Sequence, residues 1–257
     1  MEPIKDLRLA VLIDADNISY TNIKGMLKEI AKYGTPNFKR IYGDWTKPTL
    51  SGWKTVLLEN AITPVQQYSY TIGKNSSDSA LIIDAMDILY TGRVDGFCII
   101  SSDSDFTRLA TRLREASMKV FGLGAMKTPT AFISACDKFI YIEILSQGEE
   151  PITKASSNKR NGNTTTTPVQ TESSIVSKVD QNLIKLLSDS VNDVADDDGW
   201  AFLGELGSII LKKKPDFDPR NYGFKKLVPF IKSLGKFEVD ERHTGKNNIT
   251  LVYVRAK

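Results

Sequence analysis

The chain has 257 residues, a formal net charge of +3 and two cysteines. That length suits one large domain or two small ones, and so small a net charge does not by itself mark a nucleic-acid partner. No apolar run approaches the ~20 residues of a membrane span, the N-terminus lacks a signal-peptide layout, and the cysteines have neither metal-ligand spacing nor a disulfide framework. The expectation is a soluble, cytoplasmic protein with no membrane partner, in which Cys98 and Cys136 are small buried hydrophobes.

In chain order, "LRLAVLI" reads as a strand and "YTNIKGMLKEIAKYG" as a helix ending at a glycine. "FKRIYG" is a second strand, "SGWKTVLLENAI" a helix and "TPVQQYSY" an extended run. The polar loop "TIGKNSS" leads into the helix "DSALIIDAMDILYTG". Then come the strand "GFCIISS", the helix "DFTRLATRLREAS", the strand "KVFGLG", a helix near "PTAFISAC" and the strand "KFIYIEI". Alternation of this kind, with nearly continuous apolar strands, predicts an α/β domain over residues 1–147, a parallel sheet flanked by helices on both faces.

Residues 148–177 are polar, rich in Thr and Ser, and carry no apolar period. Such a composition predicts a flexible linker, and with it two units that tumble semi-independently with little mutual contact. The block 178–257 holds an amphipathic helix in "VDQNLIKLLSDSVNDVA", a second in "WAFLGELGSIILKKKP" and a third within "DFDPRNYGFKKLVPFIKSLG". "FEVDER" and "ITLVYVR" follow as strands around a polar turn, giving the order of a small winged-helix α+β domain.

Ligands of open parallel sheets bind beyond the carboxyl ends of the strands, where the strand order reverses. Acidic residues fall at that edge. Asp14 ends the first strand, with Asp16 and Asn17 behind it; Asp103 and Asp105 follow "GFCIISS"; Asp78 opens a helix. Each alone reads as a helix cap. Three groups converging on one edge repel unless a cation neutralises them, and hard oxygen ligands suit Mg2+ or Mn2+. The single histidine, His243, lies in the expected wing, so histidine-based catalysis is not available to the first domain. Carboxylate-held metal remains, and its common uses are phosphodiester hydrolysis and phosphoryl transfer.

The stretches "LIDADN", "SSDSALIIDAMDILY", "IISSDSDFTRLATRLREAS", "KVFGLG" and "ACDKFIYI" occur in the order of the NYN branch of the PIN-like nuclease superfamily, which the chain resembles from about Leu7 to Ile144. The resemblance implies a PIN-like fold and a metal-dependent ribonuclease, an endonuclease acting on RNA. Carried over residue by residue, Asp14, Asp78, Asp103 and Asp105 become the catalytic and metal-binding acids, with Asn17 beside Asp14. Ser102 and Ser104 are candidates to bind a phosphate or to cap the helix, and Lys74 is a candidate to hold a phosphate or an exposed loop residue. Asp84, about 240° around a helix from Asp78, cannot face the same metal and reads as a supporting acid.

From about Ile175 to Lys257 the chain resembles a LOTUS (OST-HTH) domain, carried by "DPRNYGFKKLVPFIKSLGKFEV" and the wing after it. That implies binding of RNA or of a protein partner. Lys212, Lys213, Lys214, Arg220, Lys225 and Lys226 form a candidate basic strip for phosphates, weighed against a merely solvated helix face. Two other readings stay open: a non-catalytic RNA-binding or adaptor protein on the same fold, and a phosphatase using Asp14 and Asp16 as nucleophile and acid.

Overall fold

β1 (Leu7–Asp14) is apolar at consecutive positions because both of its faces are covered in the computed structural model, which describes residues 6–68, 76–148, 178–244 and 249–257. It lies inside a six-stranded parallel sheet with β2 (Gly34–Gly43), β3 (Thr63–Gln66), β4 (Gly96–Ile100), β5 (Lys119–Gly124) and β6 (Lys138–Tyr141), in the order β3-β2-β1-β4-β5-β6. Leu9, Val11 and Ile13 point to one face, where α1 (Ile23–Ile30) and α2 (Trp53–Asn60) contribute Ile23, Met26, Ile30, Trp53 and Leu57. Ala10 and Leu12 point to the other, packed by α3 (Ser76–Tyr90), α4 (Thr107–Glu115) and α5 (Thr130–Ala135) through Leu81, Ala85, Leu109, Leu113 and Phe132. A strand alternating between two apolar layers leaves no polar position until its end.

Two details differ from the sequence expectation. The last strand stops at Tyr141, and Ile142–Gly148 form 3-10 turns rather than more strand. The first helix spans only Ile23–Ile30, because Gly34 already pairs with Leu7 at the start of β2. The six parallel strands and their helices agree with the expected PIN-like architecture. Cys98 and Cys136 are both buried, and burial pushes both thiols up, Cys136 to about 12.

The second unit packs α6 (Gln181–Val194), α7 (Leu203–Lys213) and α8 (Leu227–Ser233) around Leu187, Leu206, Ile210 and Phe230. Its sheet, β7-β9-β8, adds a two-residue strand β7 (Ala201–Phe202) to the expected wing of β8 (Phe237–Thr244) and β9 (Ile249–Ala256). Gly223 ends the 3-10 turn Pro219–Tyr222 at φ 82°, a left-handed conformation that a side chain resists.

The expectation of little contact between the units does not hold. The guanidinium of Arg220 donates to both oxygens of Glu29 on α1, at 2.7 and 3.0 Å, and again to Asp218. Edge strand β6 is covered as well: the Phe139 N–H donates to the Pro215 carbonyl at 2.9 Å, and the Tyr141 hydroxyl donates to Asp216 at 2.9 Å. Covering an edge in this way removes a template for unwanted strand pairing. Residues 149–177, most of the expected linker, lie outside the described residues. Linker composition reports the chain between two units and carries no information about which surfaces meet.

Burial alone would raise the Glu29 carboxyl, but hydrogen bonds and charge from Arg220 and Lys32 outweigh it and hold the group at about 2. A depressed carboxyl contributes stability above its unfolded value of 4.5 and loses it as pH falls toward 2. Arg220→Ala leaves the buried Glu29 with only Lys32 and the Tyr33 hydroxyl in hydrogen-bond reach, an expected loss of about 3 kcal/mol. It should lower the melting temperature at pH 7 and enlarge the radius of gyration in small-angle scattering; both unchanged would mean the seam contributes nothing.

Candidate metal centre

The strand order reverses between β1 and β4, whose neighbours run outward in opposite directions. The carboxyl ends of these two strands therefore flank the crevice expected to bind ligands. β1 delivers Asp14 there, 1% exposed. Its Oδ2 accepts from the Asn17 amide and the Ser101 hydroxyl, both at 2.7 Å, and its Oδ1 accepts from the Asp16 N–H at 3.1 Å. Burial raises the Asp14 carboxyl, and these hydrogen bonds oppose that shift.

β4 delivers the second group. After Ile100 the chain turns at Ser101, whose hydroxyl donates to Asp14 and accepts the Asp103 N–H at 3.0 Å. Asp103 caps the following 3-10 turn by accepting the Asp105 N–H at 2.9 Å. The capping role read from sequence is thus present, and the carboxylate retains further lone pairs for a cation. Gly124, at the end of β5, allows this close packing: a Cβ there would lie 2.5 Å from the Ser101 carbonyl oxygen.

Asp78, in the first turn of α3, completes the group. Asp78, Asp103 and Asp105 each present an oxygen, and the three lie within 4.8 Å of one another. The Asp78 carboxyl is pushed up to about 6 by burial first and then by the charges of Asp14, Asp103, Asp105 and Asp16. Asp14 is close enough to act on Asp78 electrostatically but stands outside the trio. A donor set of converging carboxylate oxygens fits a hard divalent cation such as Mg2+ or Mn2+.

Other sequence candidates divide. The exposed Asn17 donates an amide hydrogen to Asp14. The Ser102 hydroxyl accepts the Ala125 N–H at 2.8 Å, fastening the β4 and β5 ends together, while Ser104 is exposed at the rim. Lys74 lies outside the described residues. Asp84 faces away, accepting from Arg40 and Tyr42 on β2, in agreement with its helical offset from Asp78. In the basic strip, Lys213 pairs with Asp193 and Lys214 with Asp216, and Arg220 is committed to Glu29 and Asp218. Arg220 is therefore not available to a phosphate, a correction to its assignment from sequence.

Two residues at the site were missed. The Ser77 hydroxyl donates to Asp16 at 2.9 Å, and the Lys47 ammonium lies 3.4 Å from the other Asp16 oxygen. Lys47 follows β2 in "GDWTKP", a stretch with no motif to single it out.

A parallel sheet of this order with acids gathered at its switch point agrees with a PIN-like fold. The NYN domain family model matches residues 8–143, and the chain belongs to that family. An OST-HTH/LOTUS domain matches residues 174–249. No curated protein matched the chain. Among solved structures, it is similar to VPA0982 of Vibrio parahaemolyticus, a protein of unknown function. That likeness has 20% identity and a TM-score of 0.45, over 55% of this chain and 96% of that one. It is also similar to an uncharacterised protein from locus NE0665 of Nitrosomonas europaea, at 29% identity and a TM-score of 0.29, over 38% of this chain and 92% of that one.

The raised Asp78 carboxyl makes a stability prediction in EDTA. A folded-state value above the unfolded 3.8 means stability that is present below pH 3.8 and lost as pH rises through about 6. Asp78→Asn should therefore be more stable than the parent at pH 7.5, by at most about 3 kcal/mol, with the gap closing by about pH 4. Paired thermal melts at the two pH values check this; a variant less stable at pH 7.5 would contradict the repulsion.

Proposed function

We propose that the chain is a ribonuclease dependent on Mg2+ or Mn2+ that cleaves RNA phosphodiesters endonucleolytically, with its LOTUS domain contributing RNA binding. The observation that carries this reading is the meeting of Asp78, Asp103 and Asp105 within 4.8 Å at the switch point. NYN domains belong to a nuclease superfamily generally dependent on divalent metal, and LOTUS domains imply RNA binding. Asp78, Asp103 and Asp105 would hold the ion, with Asp14 adding charge from behind. When bound, such an ion polarises a phosphate oxygen and lowers the pKa of a water.

The residues of the chain supply the rest. Ser101 and Asn17 hold Asp14 in one orientation. The Ser101–Asp103 and Asp103–Asp105 hydrogen bonds fix the turn that aims the other acids. Lys47 at the rim offers a cation to a phosphate. No histidine lies in the first unit, so no imidazole serves as its proton carrier.

A second reading is a non-catalytic RNA-binding or adaptor protein. It is favoured by the local uses already found for two acids: Asp103 as a cap, and Asp14 with its hydrogen bonds from Ser101, Asn17 and Asp16.

Asp103→Asn separates the readings. Asparagine caps about as well as aspartate, so the fold should survive, but the variant loses a negative charge at the trio. The expected result is a fall in Mn2+-dependent cleavage of labelled RNA by two orders of magnitude or more, each tenfold being about 1.4 kcal/mol of barrier. Parent protein that binds RNA and leaves it intact with Mg2+ or Mn2+ would favour the adaptor; full activity in Asp103→Asn would remove the metal site.

A further inference from the structure

The seam between the two units forms an open cleft of about 350 Å³. Lys28, Glu29 and Lys32 line it from the first unit, and Arg220, Phe224 and Lys225 from the second. The charges do not cancel. Arg220 and Lys32 are engaged with Glu29, and Arg220 also with Asp218. Those two cations balance those two carboxylates. Lys28 and Lys225 remain, one from each unit, both exposed and without an ion-pair partner among the described residues. Two uncompensated cations lining one open cleft favour an anion between them. Phe224, half-buried beside Lys225, adds an aromatic surface to the same wall.

A cation pair next to an aromatic side chain matches the chemistry of a nucleotide unit, with phosphate on the lysines and base on the ring. The cleft is also of the size usual for small-ligand sites. We propose that this seam is a second RNA contact, in which Lys28 and Lys225 hold the phosphodiester of a single-stranded segment. The choice of RNA rests on the function proposed above. Arg220 acts here as a positioning residue: by binding Glu29 it brings Lys225 to the cleft that Lys28 also lines, and it does not touch the RNA. Binding of RNA at the seam would therefore depend on both units being docked.

The test uses the full chain carrying Asp103→Asn, in EDTA, so that no cleavage occurs. Binding of a short fluorescein-labelled oligouridylate is followed by anisotropy across a salt series. Lys28→Glu with Lys225→Glu should weaken binding by tenfold or more. It should also reduce the slope of log affinity against log salt by about 1.4, since each single-strand phosphate contact contributes about 0.7. Lys28→Gln with Lys225→Gln should show the same slope change with a smaller loss of affinity, and thermal melts check that both pairs fold. Lys54→Glu with Lys185→Glu, a charge-matched pair on exposed positions away from the cleft, should leave the slope near the parent value.

Parent affinity and slope in the Lys28/Lys225 pairs would overturn the proposal, as would an equal effect from the control pair. Uridine monophosphate binding as tightly as the oligomer would make this a free-nucleotide site and overturn the RNA assignment. The two proposals fail separately. Protein that binds RNA through Lys28 and Lys225 but does not cut it, with Asp103 intact and Mn2+ present, refutes the nuclease alone. Protein that cuts RNA, with binding indifferent to both lysines, refutes the seam alone.

Discussion

The hydrogen bond from Ser101 to Asp14 is the constraint around which the first unit is arranged. A carboxylate 1% exposed at the end of a buried strand is costly unless its oxygens are satisfied. Ser101 satisfies one oxygen from the neighbouring strand end, 87 residues away in sequence. The same hydroxyl accepts the Asp103 N–H, so the group that stabilises Asp14 also shapes the turn carrying Asp103 and Asp105. Strand pairing sets this up: Ile13 of β1 lies beside Ile100 of β4, one residue before each polar group. The apolar layers on both faces then hold the two strand ends still.

Packing thus gathers negative charge where the sheet has least freedom to spread it. Asp78 enters from α3, whose inner face of Leu81, Ala85 and Ile88 is anchored in the core, so it cannot retreat from Asp103 and Asp105 without unpacking the helix. Burial first, and then the charges of the neighbouring acids, raise the Asp78 carboxyl. Asp78 is buried, Asp103 half-buried and Asp105 exposed, so the cost of convergence falls chiefly on Asp78. Here, core packing supplies the convergence that a cation would relieve.

A second buried charge cluster joins the two units. Glu29 sits on the helix face toward the seam, and its near-complete burial is tolerable because Arg220 meets it with two hydrogen bonds. Breaking such a pair strands a charge in a poorly solvated place, which makes the contact directional in a way that apolar patches are not. The Phe139–Pro215 and Tyr141–Asp216 hydrogen bonds add register along the edge strand. The seam consequently has a defined geometry despite the long polar connection between the units.

Much of this was legible along the chain, because apolar period and strand-end acids are local properties. The runs "LRLAVLI" and "GFCII" require two covered faces, and the acids one to three residues beyond them can only lie at the sheet edge. Asp84 could be set apart from Asp78 by helix geometry alone. The composition of residues 148–177 marked a division into units, but it could not say whether the units touch. Which hydroxyl would satisfy Asp14, that Lys47 would stand beside Asp16, and that Arg220 would face Glu29 from 191 residues away were decided only in three dimensions. The reason is physical: periodicity and end signals depend on neighbours within a few residues, whereas partners of buried polar groups depend on which distant surfaces the apolar cores bring together.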